Sequence, residues 1–176
     1  MPKRHRRQRN VSLGPGEFLR GGVVGVTRHT ELVVYQRSFE AACRLKQLSE
    51  SFPAEERYSL TDQMRRSARS VSANIAEGWG RRRYPAAFRD KMNVAEFEAA
   101  ATQTWIAFAV RDGYLSADIG NKADACYDEI IAMLVTMIRD SDRWCSIRHN
   151  DAKKSTKSAG VHESSQDYNV MKPLNW

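Results

Sequence analysis

Long apolar runs and closely spaced cysteines are both missing from this chain of 176 residues. A membrane-spanning helix needs about 20 consecutive apolar residues, and no run in the sequence approaches that length. The basic N-terminus is followed by a stretch that glycines and Pro15 interrupt, which makes a poor signal-peptide core, so we expect a cytoplasmic protein without a membrane partner. The three cysteines, Cys43, Cys126 and Cys145, lie far apart, and this spacing excludes a disulfide framework or a zinc motif.

The usual sequence signatures of catalysis are also absent. The four histidines lie outside the predicted helices or at their edges, at positions 5, 29, 149 and 162, where they offer no buried base or metal ligand. The sequence contains no Glu-x-x-His pair, no Gly-Lys-Ser/Thr phosphate loop, and no G-x-G-x-x-G or G-x-S-x-G motif. We therefore expect a protein that is not an enzyme and that holds no metal or cofactor.

The positive charge of the chain is concentrated in two segments. The net charge is +7, and residues 1–30 carry seven basic residues against one acidic residue. Residues 31–149 hold 17 residues of each sign, but residues 57–91 carry nine basic and three acidic side chains, whereas residues 92–149 carry five and nine. A neutral domain with one basic segment presents an oriented patch of positive potential.

Hydrophobic periodicity predicts four helices between two polar, aperiodic ends. The first helix is expected over residues 32–51. The second is expected from Thr61, as its capping residue, to Trp79, with an apolar stripe on one side. Gly78 and Gly80 then suit left-handed positions at the end of the second helix.

The last two helices follow short connections. Pro85 suits the first turn of the third helix, which is predicted to end at Asp112, and Ser116 suits the cap of the fourth, which is predicted to end at Arg139. Because short joints make neighbouring helices antiparallel, the fold class is predicted as all-α, an antiparallel up-down-up-down four-helix bundle over residues 31–145. In this prediction residues 1–30 form a basic flexible arm and residues 146–176 a polar, disordered tail.

Two apolar stripes run along the third predicted helix. The first contains Phe88, Met92, Ala95, Ala99, Thr102, Ile106 and Val110, and the second contains Val94, Phe97, Ala101, Trp105 and Phe108. A helix that is apolar on two sides is buried on two sides, but a four-helix bundle has one interior. The second stripe therefore predicts a surface for self-association, unless the terminal segments cover Phe97 and Trp105.

Three blocks of the sequence carry a resemblance to a known family. They read LVVYQRSFEAACRL, FPAEERYSLTDQMRRSARSVSANIAEGWGR and TQTWIAFAVRDGYLS, within residues 32–144. In these blocks, in this order and spacing, the chain resembles the four-helix-bundle proteins encoded within intervening sequences of bacterial 23S ribosomal RNA genes. The most specific part of the resemblance runs from Leu60-Thr61 to Gly80-Arg81.

The resemblance implies a left-handed antiparallel bundle that assembles into a homopentamer. It also implies kinship with the accessory proteins of diversity-generating retroelements, which are basic pentamers that bind a reverse transcriptase and nucleic acid. The arginine-rich arm, the polar tail and the neutral body of this chain depart from that pattern. The family of the intervening sequences has no settled biochemical activity, so the resemblance implies an architecture more than a mechanism.

Eight basic side chains form the candidate nucleic-acid-binding surface. They follow the outer face of the second helix, the joint and the start of the third helix, at Arg65, Arg66, Arg69, Arg81, Arg82, Arg83, Arg89 and Lys91. Guanidinium groups on a fixed scaffold bind phosphate oxygens in a bidentate manner. The sequence therefore predicts a non-enzymatic homo-oligomer, expected to be a pentamer with its interface at the second stripe, that binds nucleic acid, with RNA as the first expectation.

Several alternatives stay open at this stage. The arginines can instead pair with acidic residues of a neighbouring subunit, as in a purely structural interaction module, or they can be a solvated surface. The chain can also be an accessory protein of a reverse transcriptase. Trp79 and Tyr84 flank the joint and can stack on single-stranded bases, although packing against a neighbouring helix is the commoner use of such a tryptophan. Asn74 and Glu77 are expected to have structural roles.

Overall fold

The computed structural model describes residues 26–145 together with Leu174 and Trp176. Every regular element in residues 26–145 is helical, as the sequence predicts. Short 3-10 turns cover His29–Glu31, Ser49–Ser51 and Ala54–Tyr58. The helices are α1 (Val33–Leu48), α2 (Leu60–Gly80), α3 (Pro85–Arg111), α4 (Ala117–Arg139) and the short α5 (Ser141–Cys145). The predicted flexible arm up to residue 25, and residues 146–173 and 175 of the predicted tail, lie outside the described residues.

The buried sides of the four long helices share one hydrophobic core. The predicted stripe of α2 is buried along its whole length, at Leu60, Met64, Ala68, Val71 and Ile75. The first stripe of α3 is buried as predicted except at its end, where Ala109 is buried and Val110 is half-buried. Burying one large apolar side chain contributes roughly 1.5–3 kcal/mol, so these stripes hold the four long helices together as in a bundle.

Polar contacts between the helices show which parts of each helix lie side by side. Lys91 Nζ, near the start of α3, lies 2.7 Å from Glu77 Oε2, near the end of α2. In the middle of the same pair, Thr102 Oγ1 donates a hydrogen bond to Ser67 Oγ at 2.9 Å. α4 lies on the other side of α3, and α1 contacts both α2 and α4.

The start of α2 differs from the predicted start. Ser59, and not Thr61, occupies the N-cap position. Glu56 Oε2 accepts a hydrogen bond from the Leu60 amide at 3.2 Å, so a carboxylate of the preceding turn supplies the acceptor that the helix end needs. Thr61 lies inside the first turn, and its buried hydroxyl has no hydrogen-bond partner among the described residues. The prediction that Thr61 caps α2 is therefore wrong.

The end of α2 also differs from the prediction. Gly78 and Gly80 both lie within the helix, and among the described glycines only Gly113 has a positive φ, of 79°. A left-handed role for Gly78 and Gly80 is therefore wrong. A Cβ atom on Gly78 would clash with Met92 Cε and lie 3.1 Å from Lys91 Cβ, so this glycine allows α3 to approach α2 closely.

Two other predicted helix ends are confirmed. Pro85 is the first residue of α3, where its missing N–H costs no hydrogen bond. Ser116 is the N-cap of α4, and its Oγ accepts a hydrogen bond from the Ile119 amide at 3.3 Å. α1 ends at Leu48 rather than at residue 51, because the chain continues from there as a 3-10 turn.

Residues near both ends of the described chain contact the bundle. Trp79 Nε1 donates a hydrogen bond to the Thr27 carbonyl at 3.4 Å. Arg44 Nε of α1 donates to the Trp176 carbonyl, and Leu174 and Trp176 pack against the core. Periodicity does not predict these contacts, because they involve single side chains. None of the helices in the described part is both long enough and apolar enough to cross a membrane.

Candidate functional site

The turn between α2 and α3 holds its arginines in a defined conformation. The Arg81 amide donates to the carbonyls of Glu77 and Gly78, at 3.1 and 2.9 Å, and the Tyr84 amide donates to the Arg81 carbonyl at 2.9 Å. These bonds close a tight turn before Pro85 begins α3. We call Arg81, Arg82, Arg83 and Arg89 together the basic joint.

Arg82 is the anchored member of the basic joint. Its guanidinium carbon lies 4.3 Å from the centroid of the Trp79 ring, and its Nη1 donates to the Trp79 carbonyl at 2.9 Å. The side chain is half-buried and donates to one of the last carbonyls of α2, which also accepts from the Arg82 amide. Arg81 and Arg83 on either side are exposed, and neither forms a hydrogen bond or ion pair through its side chain within the described residues.

Arg89 connects the basic joint to α5. Its Nη1 donates to Ser141 Oγ at 3.2 Å, which brings α5 to the same end of the molecule. The pKa of the Cys145 thiol is raised by burial and by Asp142, while the charges of Arg89 and Arg82 act in the opposite direction. Arg143 of α5 is exposed near this end, and sequence reasoning missed it because a five-residue helix carries no periodic signal.

The other predicted arginines lie farther along α2. Arg65 Nε donates to Ser49 Oγ at 2.7 Å and so ties α2 to the turn after α1. Arg66 is exposed, and its Nη1 lies 3.8 Å from Oδ2 of Asp62 in the same helix. Arg69 is exposed and separated from Arg81 by 12 residues, which is about 18 Å along a helix. The eight predicted residues therefore form two groups and not one continuous patch.

Lys91 is used inside the molecule. Its Nζ contacts Glu77 Oε2 at 2.7 Å and Asn74 Oδ1 at 3.3 Å. The Asn74 amide in turn donates to the Ser70 carbonyl at 2.9 Å. The pKa of the Glu77 carboxyl is lowered, first by the hydrogen bond and charge of Lys91 and then by Arg81. The geometry is that of a polar bridge between α2 and α3.

The two aromatic candidates for base stacking have different surroundings. Trp79 is only 4% exposed and packs in the core beneath Arg82. Tyr84 is 68% exposed next to the basic joint. Of these two rings, the one available at the surface is therefore Tyr84.

The second predicted stripe of α3, the outer stripe, lies outside the core. Phe97 and Phe108 are 67% and 48% exposed, and Val94, Ala101 and Trp105 are half-buried. The rings of Trp105 and Phe108 stack with centroids 6.0 Å apart. The outer stripe is thus an apolar face of α3 that the described part of the chain leaves partly open to solvent.

A groove between α1 and α2 is a feature that sequence reasoning missed. It has a volume of about 630 Å³, and its walls include Tyr35, Phe39 and Cys43 from α1 and Arg69, Ala73 and Ala76 from α2. Phe39 is 51% exposed, and its ring stacks on that of Tyr35 with centroids 6.0 Å apart. The sequence signal was weak because the α2 side of the groove consists of small residues.

We find no candidate metal site in the part of the chain that the structure describes. No group of three or more histidine, cysteine, aspartate or glutamate residues is placed there to hold a metal ion.

Comparisons with known proteins give one family match and one similar solved structure. The sequence model of the family described as 23S rRNA-intervening sequence protein matches residues 30–136. A crystal structure of a protein of unknown function from the S23 ribosomal protein family of Bacteroides thetaiotaomicron is similar to this chain, with 29% sequence identity and a TM-score of 0.56. The similarity covers 61% of this chain and 99% of that chain. No curated protein matches the sequence.

Proposed function

Since the chain belongs to the 23S rRNA-intervening sequence protein family, we propose that it is a non-enzymatic, self-associating helical bundle that binds nucleic acid through the basic joint. The expected assembly is a pentamer, and the expected ligand is RNA. The side-by-side contacts of Glu77 with Lys91 and of Ser67 with Thr102 support the antiparallel arrangement of α2 and α3 that this proposal assumes.

The observation that carries the proposal is the exposure of the Arg81 and Arg83 side chains. Both are exposed, and neither forms an ion pair or a side-chain hydrogen bond within the described residues, although the charge of Arg81 lowers the pKa of Glu77. The turn holds the backbone of both residues in place. Arg82 between them and Arg89 beside them are fixed by contacts with Trp79 and Ser141. Guanidinium groups bind phosphate oxygens in a bidentate manner, and the turn that holds the backbone of Arg81 and Arg83 keeps both groups at the same place on the surface.

Binding of this kind depends on salt and little on base sequence. Each neutralised phosphate releases a counterion, and nonspecific sites of a few such contacts bind with a Kd of roughly 10⁻⁴ to 10⁻⁶ M. An assembly that repeats the basic joint raises the apparent affinity, because the second contact forms at a high effective concentration. Tyr84 adds one exposed ring on which a single-stranded base can stack.

The competing function is a structural interaction module whose arginines only hold protein together. The contacts of Arg65, Arg89 and Lys91 favour it for those residues, because each is bonded within the chain. They do not account for Arg81 and Arg83. The two functions therefore make different predictions for this exposed pair.

The test is fluorescence anisotropy with a labelled single-stranded RNA at two salt concentrations, on the wild type and on the double variant Arg81→Gln with Arg83→Gln. We expect the variant to bind more weakly and its salt slope to fall by about 0.7 for each lost phosphate contact. A matched control neutralises Arg57 and Arg111, which are exposed in other parts of the chain, and should leave binding unchanged.

Assembly is measured on the same samples by light scattering. Loss of RNA binding with assembly intact supports the proposal. Absence of binding by the wild type at low salt overturns the proposal. Loss of assembly in the joint variant assigns the arginines to protein contacts instead. A DNA strand of the same sequence measures the preference between the two nucleic acids.

A further inference from the structure

We infer that the outer stripe of α3 in one copy packs into the groove between α1 and α2 of the next copy. The inference rests on the proposed self-association and adds the two surfaces that meet. Both surfaces are partly exposed in the described chain, at Phe97 on the stripe and at Phe39 in the groove.

The stripe carries large side chains, and the groove has space between small ones. The stripe presents large aromatic side chains at Phe97, Trp105 and Phe108. The groove is concave because α2 contributes Ala73 and Ala76 to its wall, beside the stacked rings of Tyr35 and Phe39 on α1. Large aromatic anchors in pockets lined by smaller residues supply most of the free energy in protein interfaces.

The charges beside the two surfaces are opposite in sign. On the wall of the groove, Arg69 forms no ion pair within the described residues. Asp90, Glu98 and Asp112 lie along the same side of α3 as the outer stripe, by their spacing on the helix, and none of them has an ion-pair partner in the described chain. Packing stripe into groove would bring one of these carboxylates toward the unpaired guanidinium of Arg69, which favours this pairing over stripe against stripe.

The stripe and the groove are different surfaces of one chain. When a copy uses its stripe on one neighbour and its groove on another neighbour, the contact is heterologous. Such contacts generate a closed ring when the rotation between copies closes, and a filament when it does not. In a two-fold dimer the two copies would instead exchange stripe and groove reciprocally, and disulfide cross-linking would stop at the dimer.

Cys43 makes the inference testable, because this exposed thiol lies in the groove. We introduce a cysteine at one stripe position at a time, as Val94→Cys, Phe97→Cys or Ala101→Cys, and oxidise the assembled protein. A disulfide forms only when the two Cα atoms come within about 7 Å. We expect at least one variant to give a non-reducing ladder that extends beyond the dimer. The change Cys43→Ser in the same variant should remove that ladder.

Two controls separate the possible failures. Ala107→Cys places a thiol on the same helix, exposed but away from the stripe, and should give no ladder. Light scattering of the unoxidised samples reports assembly independently of the disulfide. A wild type that assembles while no stripe variant links to Cys43 overturns this inference and leaves the proposed self-association standing. A monomeric wild type overturns both.

A second readout uses the native thiol. The variant Phe97→Glu puts a charge in the stripe and is expected to dissociate the assembly, and circular dichroism should stay unchanged because this side chain is 67% exposed. Cys43 should then react with a thiol reagent several-fold faster than in the assembled wild type. Equal rates in the two proteins would place Cys43 outside the interface and contradict the inference.

Discussion

Replacing Lys91 by methionine should destabilise the fold and leave nucleic-acid binding unchanged. Methionine keeps the apolar stem that lies beside Gly78 but removes the ammonium group that contacts Asn74 Oδ1 and Glu77. Among the described residues, Lys91 is the donor to the side-chain oxygen of Asn74, and Asn74 is only 8% exposed. The lost bond therefore leaves a nearly buried acceptor without a donor.

The cost follows from that orphaned acceptor. Leaving a buried polar group unsatisfied costs roughly 1–3 kcal/mol, so we expect the free energy of unfolding to fall by about 2 kcal/mol. The contact with the exposed Glu77 contributes much less, because water screens it. In a double-mutant cycle, Asn74→Ala should remove most of the effect of Lys91→Met, since the two residues share one bond.

The assay is urea unfolding followed by circular dichroism at one fixed protein concentration, because assembly makes the apparent stability depend on concentration. RNA anisotropy on the same protein tests the second half of the prediction. An unfolding free energy within about 0.5 kcal/mol of the wild type, together with weaker RNA binding, would refute the reasoning and return Lys91 to the binding surface.

Three further predictions concern a helix cap, a thiol and a carboxylate. Ser116→Ala removes the acceptor for the Ile119 amide and should lower the free energy of unfolding by about 1 kcal/mol in urea; no change would mean that water caps α4 equally well. Burial raises the pKa of Cys126 to about 11, so thiol labelling at pH 8 followed by mass spectrometry should find it modified far more slowly than a free cysteine; equal rates would contradict the buried position. The pKa of Glu77 is lowered from 4.5 by Lys91 and then Arg81, so its contribution to stability is present above pH 4.5 and is lost as the pH falls through the folded pKa. Urea midpoints between pH 7 and pH 3 should therefore fall less steeply in Glu77→Gln than in the wild type, and parallel curves would contradict that.

The helical framework could be predicted because its signals are periodic and repeated. Each core stripe contains five or more positions at helical spacing, and the joints carry local signals such as Pro85 and Ser116 whose physical role does not depend on distant residues. The cap of α2 was misassigned for the opposite reason. A side-chain oxygen is available near the start of α2 from Glu56, Ser59 and Thr61. The preceding 3-10 turn determines which of them reaches the free amides.

Gly78 shows a second limit of sequence reasoning. A glycine near the end of a helix favours a left-handed cap when the sequence is considered alone, but here its missing side chain makes room for Lys91 and Met92 of α3. Which use applies depends on how closely two helices approach, and that distance is a tertiary property. The same limit hid the groove between α1 and α2, whose α2 wall of small residues produces no apolar signal.

The sequence predicts which segment holds the basic residues of the candidate site, but it does not predict how their side chains are arranged. Arginine density identifies the segment, but only the structure shows that Arg65 and Lys91 are bonded within the chain while Arg81 and Arg83 are exposed. The packing of Arg82 on Trp79 depends on the turn that returns the chain over the end of α2. Arg82 and Trp79 are close in the sequence, but their contact can be predicted only when the path of the backbone between them is known.

We propose that copies assemble and repeat the basic joint because α3 carries apolar surface that the described part of one chain leaves exposed. Light scattering of the purified wild type in buffer of moderate ionic strength measures this directly. We expect a mass close to five times the 20.0 kDa of one chain. A stable mass of 20.0 kDa at every concentration would contradict it.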